Sequence, residues 1–265
     1  MKPAVLALSL VLAGCAAPAP PAPVAVAVYA AGSLRDALTE VARDHEARTG
    51  QKIALTFGPS GLLRERIEKG ETAQVFASAD TQHPQRLAEG GGWAAQTVFV
   101  RNSLCALVQP GLAVTPDNLL DTLLRTDLKL GMSTPRADPA GDYALALFQN
   151  AGEVRAGAQA ALNAKALPLT GGPASPAAPA GRNVYAWVME QGKADVFLTY
   201  CTNAVAARKE IGGLQVVQVP PALQVSAAYG LTVRQGAAPG AAAFATALVA
   251  APAQIIFARY GFGRP

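Results

Sequence analysis

The stretches Tyr29-Ala30-Ala31-Gly32-Ser33-Leu34 and Thr56-Phe57-Gly58-Pro59-Ser60-Gly61 decide the fold. Each follows a short apolar run rich in β-branched residues, and each precedes apolar residues that repeat at helical spacing. The pattern predicts a strand, a turn of small residues and a helix that starts near Ser33 or Ser60. A helix start carries unpaired N–H groups and the positive end of the helix dipole. Two such starts on neighbouring strands could hold one anion between them.

Helix capping explains each of these serines when it is taken alone, because serine is a preferred N-cap residue. Two strand–turn–helix units of the same kind favour an anion site over two independent caps. Asp80 follows a third apolar strand, at 75–78, and it either caps the next helix or points into the same cleft. We expect the cap.

Strands and helices alternate along residues 24–100, which is the pattern of a parallel sheet. The predicted strands are 24–29, 52–57, 75–78 and 97–100, and the predicted helices are 34–49, 61–69 and 82–89. A strand at 102–110 then leaves the first lobe, and the alternation resumes with small-residue loops at strand ends. A strand at 226–233 returns to the first lobe, and two helices, 240–248 and 252–260, follow. Parallel sheets bind ligands at the carboxyl ends of their strands, where Ser33 and Ser60 fall.

The first residues read as an export signal. Met1 and Lys2 supply a positive start, and the apolar run at 4–13 is too short to span a membrane. It ends in Leu-Ala-Gly and Cys15, the form of a lipoprotein cleavage box, so we predict that Cys15 is lipidated. The alternative is a plain secretory signal in which this cysteine is incidental. Residues 16–23 are almost wholly Ala and Pro and are predicted to be a semi-rigid tether.

Charge and composition exclude several functions. The 265 residues carry 22 basic and 18 acidic side chains, a scattered excess of +4 that does not indicate nucleic-acid binding. After the signal no stretch is apolar enough to cross a bilayer, so membrane contact is expected only through the lipid anchor. The chain is therefore predicted to be extracytoplasmic or periplasmic.

Cysteine and histidine usage points away from a metal centre. Cys105 and Cys201 each lie in or beside an apolar strand-like run, and in an exported protein such a pair suggests a disulfide bond. Two buried free thiols are the alternative. His45 and His83 have no metal-ligand spacing, and no cofactor is expected.

Eight segments in order carry a family resemblance: Y-A-A-G-S-L at 29–34, T-F-G-P-S-G at 56–61, A-Q-V-F-A-S-A-D at 73–80, N-S-L at 102–104, D-P-A-G-D-Y at 138–143, N-V at 183–184, T-Y-C-T-N-A at 199–204 and I-F-A-R-Y-G-F at 256–262. The chain resembles the periplasmic molybdate-binding proteins of ABC importers. The resemblance implies a two-lobed α/β fold of the type II periplasmic binding proteins, each lobe a mostly parallel sheet flanked by helices, with the ligand cleft between the lobes. The implied limits are 24–103 with 222–265 for lobe I and 104–221 for lobe II, after the signal and tether at 1–23.

The resemblance also implies the site. Molybdate or tungstate would be held by uncharged donors: the hydroxyls of Ser33, Ser60 and Tyr200, and the backbone N–H groups of Ala140 and Val184. The interval from Val184 to Tyr200 is two residues shorter than the family pattern, which makes Tyr185 a neighbouring candidate. A monomer that delivers the anion to an ABC permease is implied as well.

Departures from the family pattern concern the surroundings of this site. Pro59 lacks a backbone N–H and removes one possible donor. Arg182 stands close to the N-V segment and is expected to add a positive charge to the site.

Two other functions compete with molybdate binding. The same fold could bind another oxyanion or a small organic anion. A hydrolase using Ser33 or Ser60 would need a base beside the nucleophile. Neither His45 nor His83 has an evident Asp partner in sequence, and no G-x-S-x-G elbow is present. We therefore predict a binding protein with no catalytic residues.

Overall fold

The computed structural model describes residues 24–265, so Cys15 and the predicted tether lie outside the described residues. Nine strands form one mixed sheet: β1 (Val26–Ala31), β2 (Ile53–Gly58), β3 (Val75–Ala77), β4 (Thr97–Val108), β5 (Leu130–Ser133), β6 (Leu167–Thr170), β7 (Val196–Tyr200), β8 (Gln215–Gln218) and β9 (Ser226–Val233). Their order across the sheet is β2-β1-β3-β9-β4-β7-β5-β6, and β8 pairs with β4 beside this path.

Ten α-helices pack on the sheet: α1 (Arg35–Thr49), α2 (Ser60–Glu68), α3 (Gln82–Glu89), α4 (Leu119–Leu124), α5 (Pro139–Val154), α6 (Ala158–Lys165), α7 (Val184–Glu190), α8 (Cys201–Glu210), α9 (Pro239–Val249) and α10 (Ala251–Arg259). A short 3-10 turn, Gly32–Leu34, precedes α1, so that the α-helix begins one residue later than predicted. Among residues 24–265 no single helix has the length and hydropathy of a membrane span; α9 and α10 reach those limits only when joined across a 59° bend.

The predicted α/β fold class is confirmed, with one refinement in the sheet. The outer pairs β1–β2, β1–β3, β5–β6 and β5–β7 are parallel. The pairs that involve β9 or β4 at the centre are antiparallel. The parallel pairs therefore stand on both sides of an antiparallel centre.

The predicted break between strands 97–100 and 102–110 is wrong, because β4 is continuous. Arg101 is exposed and polar but pairs with Ala228 of β9 and exchanges backbone hydrogen bonds with Gly263. β4 pairs with β9 as far as Ser103 and with β7 from Leu104 onward. This change of partner falls at 103/104, where the sequence places the lobe boundary; the lobe limits themselves stay a prediction.

The side chain of Gln224 completes the pairing at this boundary. Its Oε1 accepts the N–H of Leu104 at 3.1 Å, and its Nε2 donates to the Leu104 carbonyl at 3.2 Å. Gln224 lies on the returning segment that leads into β9. One amide side chain therefore bridges the two stretches of chain that pass from one side of the sheet to the other.

A disulfide bond joins Cys105 in β4 to Cys201, the first residue of α8, with the two Cα atoms 4.7 Å apart. The antiparallel register places Leu104 opposite Tyr200, the last residue of β7. The chain that leaves β7 consequently starts its helix beside Cys105.

Candidate functional site

A cavity of about 1070 Å³ opens where β1, β2 and β7 end. Ser33, Ser60, Val184 and Tyr200 all line it. The structure thus brings four of the five predicted site residues to one space. Ala140 does not line it.

Ser60 has its hydroxyl group turned away from the start of its own helix. Pro59 is the N-cap residue of α2, and no side chain caps that helix. The Ser60 Oγ accepts the backbone N–H of Ala79 at 3.1 Å, and the residue is 1% exposed. Since a hydroxyl has one proton and two acceptor lone pairs, its proton stays available for a ligand.

Ser33 does not cap a helix either, because the N-cap positions of the 3-10 turn and of α1 carry no side-chain cap. Its Oγ lies 2.9 Å from the hydroxyl of Tyr229 in β9. That hydroxyl also receives a hydrogen bond from Asn102 Nδ2 at 3.2 Å. Capping therefore does not account for either serine: the Ser33 hydroxyl bonds to a side chain of β9, and the Ser60 hydroxyl bonds to the loop that follows β3.

Tyr200 ends β7 and is 1% exposed. Its hydroxyl donates to the Ala79 carbonyl at 3.1 Å, so the two polar atoms of Ala79 face Ser60 and Tyr200 respectively. Burial raises the pKa of the Tyr200 phenol well above its usual value. The phenol is consequently protonated and a donor at neutral pH.

At the start of α7, the hydrogen bonding of the backbone N–H groups decides between Val184 and Tyr185 as ligand donors. Asn183 caps this helix, and its Oδ1 accepts the N–H of Tyr185 at 3.0 Å and that of Ala186 at 3.1 Å. Within residues 24–265 the N–H of Val184 has no hydrogen-bond acceptor. Val184 is therefore the better candidate of the two, despite the short interval to Tyr200.

The structure does not support Ala140 as a ligand donor. Asp138 is the N-cap residue of α5, and its Oδ1 accepts the Ala140 N–H at 3.1 Å. Ala140 itself is fully buried. In the Asp-Pro-Ala sequence, the Ala140 N–H therefore bonds to the helix cap and does not point to a ligand.

Charged groups at the cavity differ from the expectation. Arg182 lines the cavity but bonds to Glu210 and, at 2.9 Å, to Glu190, so its charge is balanced by two carboxylates. Asp138 also lines the cavity, and burial raises the pKa of its carboxyl group to about 6, against the hydrogen bonds from Ala140 and Ser133. Arg35, exposed at the rim, lies over the Phe57 ring at 4.7 Å.

Asp80 stands one position before Thr81, the N-cap residue of α3, and its side chain bonds to the first turn of that helix. Its Oδ1 accepts the N–H of His83 at 3.2 Å in the first turn of α3 and the hydroxyl of Ser78 at 2.7 Å. In the part of the chain that the structure describes, neither Ser33 nor Ser60 has a hydrogen bond to a histidine or a carboxylate.

The sequence alone does not identify Tyr229, Asn102 or the Ala79 peptide as parts of the site. Asn102 stands in the N-S-L segment that carries the family resemblance, but nothing in that segment assigns it a partner. Tyr229 lies 196 positions after Ser33 in the chain. Only the sheet order, which places β9 between β3 and β4, brings this phenol to the first serine.

The mixed sheet has a parallel part on each side of its antiparallel centre, and hydrogen-bond donors line a cleft at the strand ends. This arrangement defines a two-lobed solute-binding protein. A profile of bacterial extracellular solute-binding proteins matches residues 26–263. The chain belongs to this family, whose members serve ABC transporters outside the cytoplasm.

Individual relatives agree with this assignment. An uncharacterised protein of Pasteurella multocida is 38% identical over 77% of this chain and 85% of its own length. The molybdate-binding protein ModA of Escherichia coli is 29% identical over 89% of this chain and 88% of its own. The structure of the sulfate-binding protein SubI of Mycobacterium tuberculosis superposes with a TM-score of 0.74 at 20% identity, covering 90% of this chain and 86% of that one.

Proposed function

We propose that this protein captures molybdate or tungstate and delivers it to an ABC permease. One observation carries the proposal: Ser33 and Ser60, just after β1 and β2, and Tyr200, the last residue of β7, line one cavity together with Val184, whose N–H has no acceptor within residues 24–265. Similarity along most of the chain to a protein named for molybdate binding supports the choice of anion.

The donor set suits a dianion. Oriented hydroxyls and backbone N–H groups stabilise an anion without a buried countercharge, and hydrogen bonds to charged acceptors are among the strong ones. The nearby Asp138 opposes binding when it is ionised, because it adds a like charge at the cavity. Its raised pKa lowers this cost at mildly acidic pH.

Direct contacts join the two sides of the cleft. The N–H of Gly61 at the start of α2 donates to the Ala137 carbonyl at 2.9 Å, ahead of α5. The Tyr200 hydroxyl crosses in the other direction to Ala79. These contacts bring the donors of both sides around one space, as a protein that encloses its ligand requires.

A second candidate ligand is another oxyanion or a small organic anion. The cavity of about 1070 Å³ far exceeds the few water volumes, about 30 Å³ each, that one tetrahedral oxyanion occupies. The similar structure of SubI is named for sulfate binding.

Isothermal titration with molybdate, tungstate and sulfate tests the proposal. Ser33→Ala and Ser60→Ala each remove one donor, and each is expected to weaken binding roughly ten- to a hundredfold, since a hydrogen bond to a charged group contributes about 1.5–3 kcal/mol. Tyr200→Phe is expected to weaken binding less than either serine variant, because the single proton of the Tyr200 phenol is donated to the Ala79 carbonyl. Ser226→Ala, an exposed serine of β9 away from the cavity, is the matched control. Absence of heat with all three anions would contradict the proposal.

We further propose that the mature protein is a monomer tethered by a lipid on Cys15. Cys15→Ala is expected to move it from the membrane fraction to the soluble extracytoplasmic fraction. An unchanged distribution would exclude the lipid anchor.

A further inference from the structure

Arg136 has a backbone conformation that glycine adopts freely and other residues do not. Its φ is 67°, and within residues 24–265 no other non-glycine residue has a positive φ. The left-handed region is costly for a residue with a Cβ, and such a conformation persists only where its surroundings hold it. Arg136 is exposed and lies in the loop 134–138, between β5 and α5. The end of this loop, Asp138, lines the cavity, so the strained residue stands beside the candidate site.

The contacts that hold this loop come from its own side of the sheet. Both carboxylate oxygens of Asp142, in the first turn of α5, accept the Arg136 N–H at 3.0 Å. The N–H and the hydroxyl of Thr134 donate to the Thr170 carbonyl in β6, at 2.8 and 2.9 Å. The Asp138 N–H closes the turn on the Thr134 carbonyl at 2.9 Å. The ends of the loop are therefore fixed by Thr134, and its strained middle is fixed by Asp142.

The other side of the cleft meets this loop at Gly61, the residue that follows Ser60. The Gly61 N–H donates to the Ala137 carbonyl at 2.9 Å. A Cβ on Gly61 would lie 2.3 Å from the Arg136 carbonyl oxygen, so the two backbones are in direct contact. Helix α2 has no side-chain cap, and the loop supplies an acceptor for one of its first N–H groups. Docking of the loop is thus tied to the helix start that carries a proposed ligand donor.

We infer that Asp142 is a positioning residue for anion binding: it holds Arg136 in the left-handed conformation before the cleft closes, so that the loop docks on Gly61 without rearrangement. The inference rests on the proposed function and adds to it a residue that does not line the cavity. Asp142 acts through the loop and not through contact with the anion.

The size of the effect follows from the fraction of molecules whose loop has the docking conformation before the anion arrives. Without Asp142 the backbone of Arg136 relaxes, and the left-handed form falls to about a tenth of the population. The apparent affinity falls by the same fraction, so Asp142→Ala is expected to weaken molybdate binding roughly tenfold. Loss of the negative charge alone predicts the opposite sign, because a carboxylate near the cleft repels an anion.

Isothermal titration with molybdate compares Asp142→Ala with two variants that restore the loop in different ways. Asp142→Asn keeps one side-chain acceptor for the Arg136 N–H and is expected to bind at least as tightly as the unmodified protein. In the double variant Asp142→Ala/Arg136→Gly, glycine adopts the left-handed form about as readily as the right-handed one, so the affinity should return to within about threefold of the unmodified protein. Asp121→Ala is the matched control, because it removes an exposed carboxylate that pairs with Arg155 away from the cavity.

Amide hydrogen exchange of the ligand-free protein, followed by NMR, measures the same preparation without an anion. The Arg136 N–H is expected to be protected in the unmodified protein and in Asp142→Asn, and to exchange faster in Asp142→Ala. Thermal melting of each variant reports whether it is folded.

The outcomes separate this inference from the proposed function. Unchanged molybdate affinity in Asp142→Ala overturns the positioning role, as does a loss of affinity that Arg136→Gly fails to reverse. Rapid exchange of the Arg136 N–H in the unmodified ligand-free protein also overturns it, and this measurement decides if Asp142→Ala does not fold. Failure of the unmodified protein to bind molybdate, tungstate or sulfate contradicts the proposed function itself, and hydrogen exchange at Arg136 then still decides whether the loop is held in advance.

Discussion

Removal of the Cys105–Cys201 disulfide bond is predicted to cost the folded protein several kcal/mol. The two cysteines are 96 positions apart, so the bond closes a long loop in the unfolded chain. The chain-entropy relation gives about 4.7 kcal/mol for a loop of roughly 100 residues at 25 °C. For a chain of this size about 1 kcal/mol shifts the melting temperature by 2–4 °C, which predicts a loss of roughly 9–19 °C.

Differential scanning calorimetry on the oxidised protein and on the Cys105→Ala/Cys201→Ala double variant measures this loss. A reductant should lower the melting temperature of the unmodified protein and leave that of the double variant unchanged, which controls for other effects of the reagent. A loss below about 2 kcal/mol would refute the assignment of loop entropy as the main contribution. Because Cys201 directly follows Tyr200, titration of the same variant with molybdate shows whether the bond also positions the phenol.

Three other perturbations test the site. Anion affinity is expected to rise as pH falls through about 6, because the anion binds better when Asp138 is neutral and burial raises the pKa of that carboxyl group to about 6. The free energy of unfolding should follow the same direction. The stabilising effect of this raised pKa is present at low pH and is lost as pH rises through about 6. Titration of dilute molybdate from pH 8 to pH 5 checks this, and Asp138→Asn should flatten the profile; a steep profile in that variant contradicts the assignment. Gly61→Ala places a Cβ 2.3 Å from the Arg136 carbonyl oxygen on the other side of the cleft. An overpacking cost of about 1–3 kcal/mol predicts that this variant binds the anion roughly five- to a hundredfold more weakly. Gly32→Ala is the control and should bind normally, because its Cβ would meet nothing within 4 Å. Asn183→Ala frees two N–H groups of α7 and should lower the free energy of unfolding by about 1 kcal/mol in calorimetry. An unchanged free energy of unfolding would show that solvent replaces the cap and would contradict the prediction.

Local sequence predicted the parts of the site that depend on neighbouring residues. The strand–turn–helix units placed Ser33 and Ser60 at strand ends, because small residues and apolar periodicity are local signals. The same local reasoning favoured helix capping as the simpler explanation of each serine. It could not show that the hydroxyls bond instead to Tyr229 and to the Ala79 peptide, since those contacts arise from the sheet order.

Two differences between the predictions and the structure have physical causes that lie in tertiary structure. Arg101 falls between the predicted strands 97–100 and 102–110, yet its backbone pairs on one side with Ala228 and exchanges hydrogen bonds on the other side with Gly263, so that the strand continues through it. Ala140 was carried over from the family pattern, but the carboxylate of Asp138 takes its N–H. Which of two available acceptors a backbone donor uses depends on loop conformation, and composition does not encode it.

The continuous path of β4, with Gln224 tied to its midpoint, bears on how the cleft exchanges its contents. β4 has a register shift between Val98 and Val100, and from Val100 it pairs without a break through Leu104 to Val108. We therefore expect any opening at the boundary to be a change of strand twist spread over several residues rather than a bend at a single loop. Because Gln224 bonds to both backbone groups of Leu104, the outgoing strand β4 and the returning segment before β9 are expected to move together. The ease with which the two sides of the sheet move apart is then expected to depend on the stiffness of this paired segment.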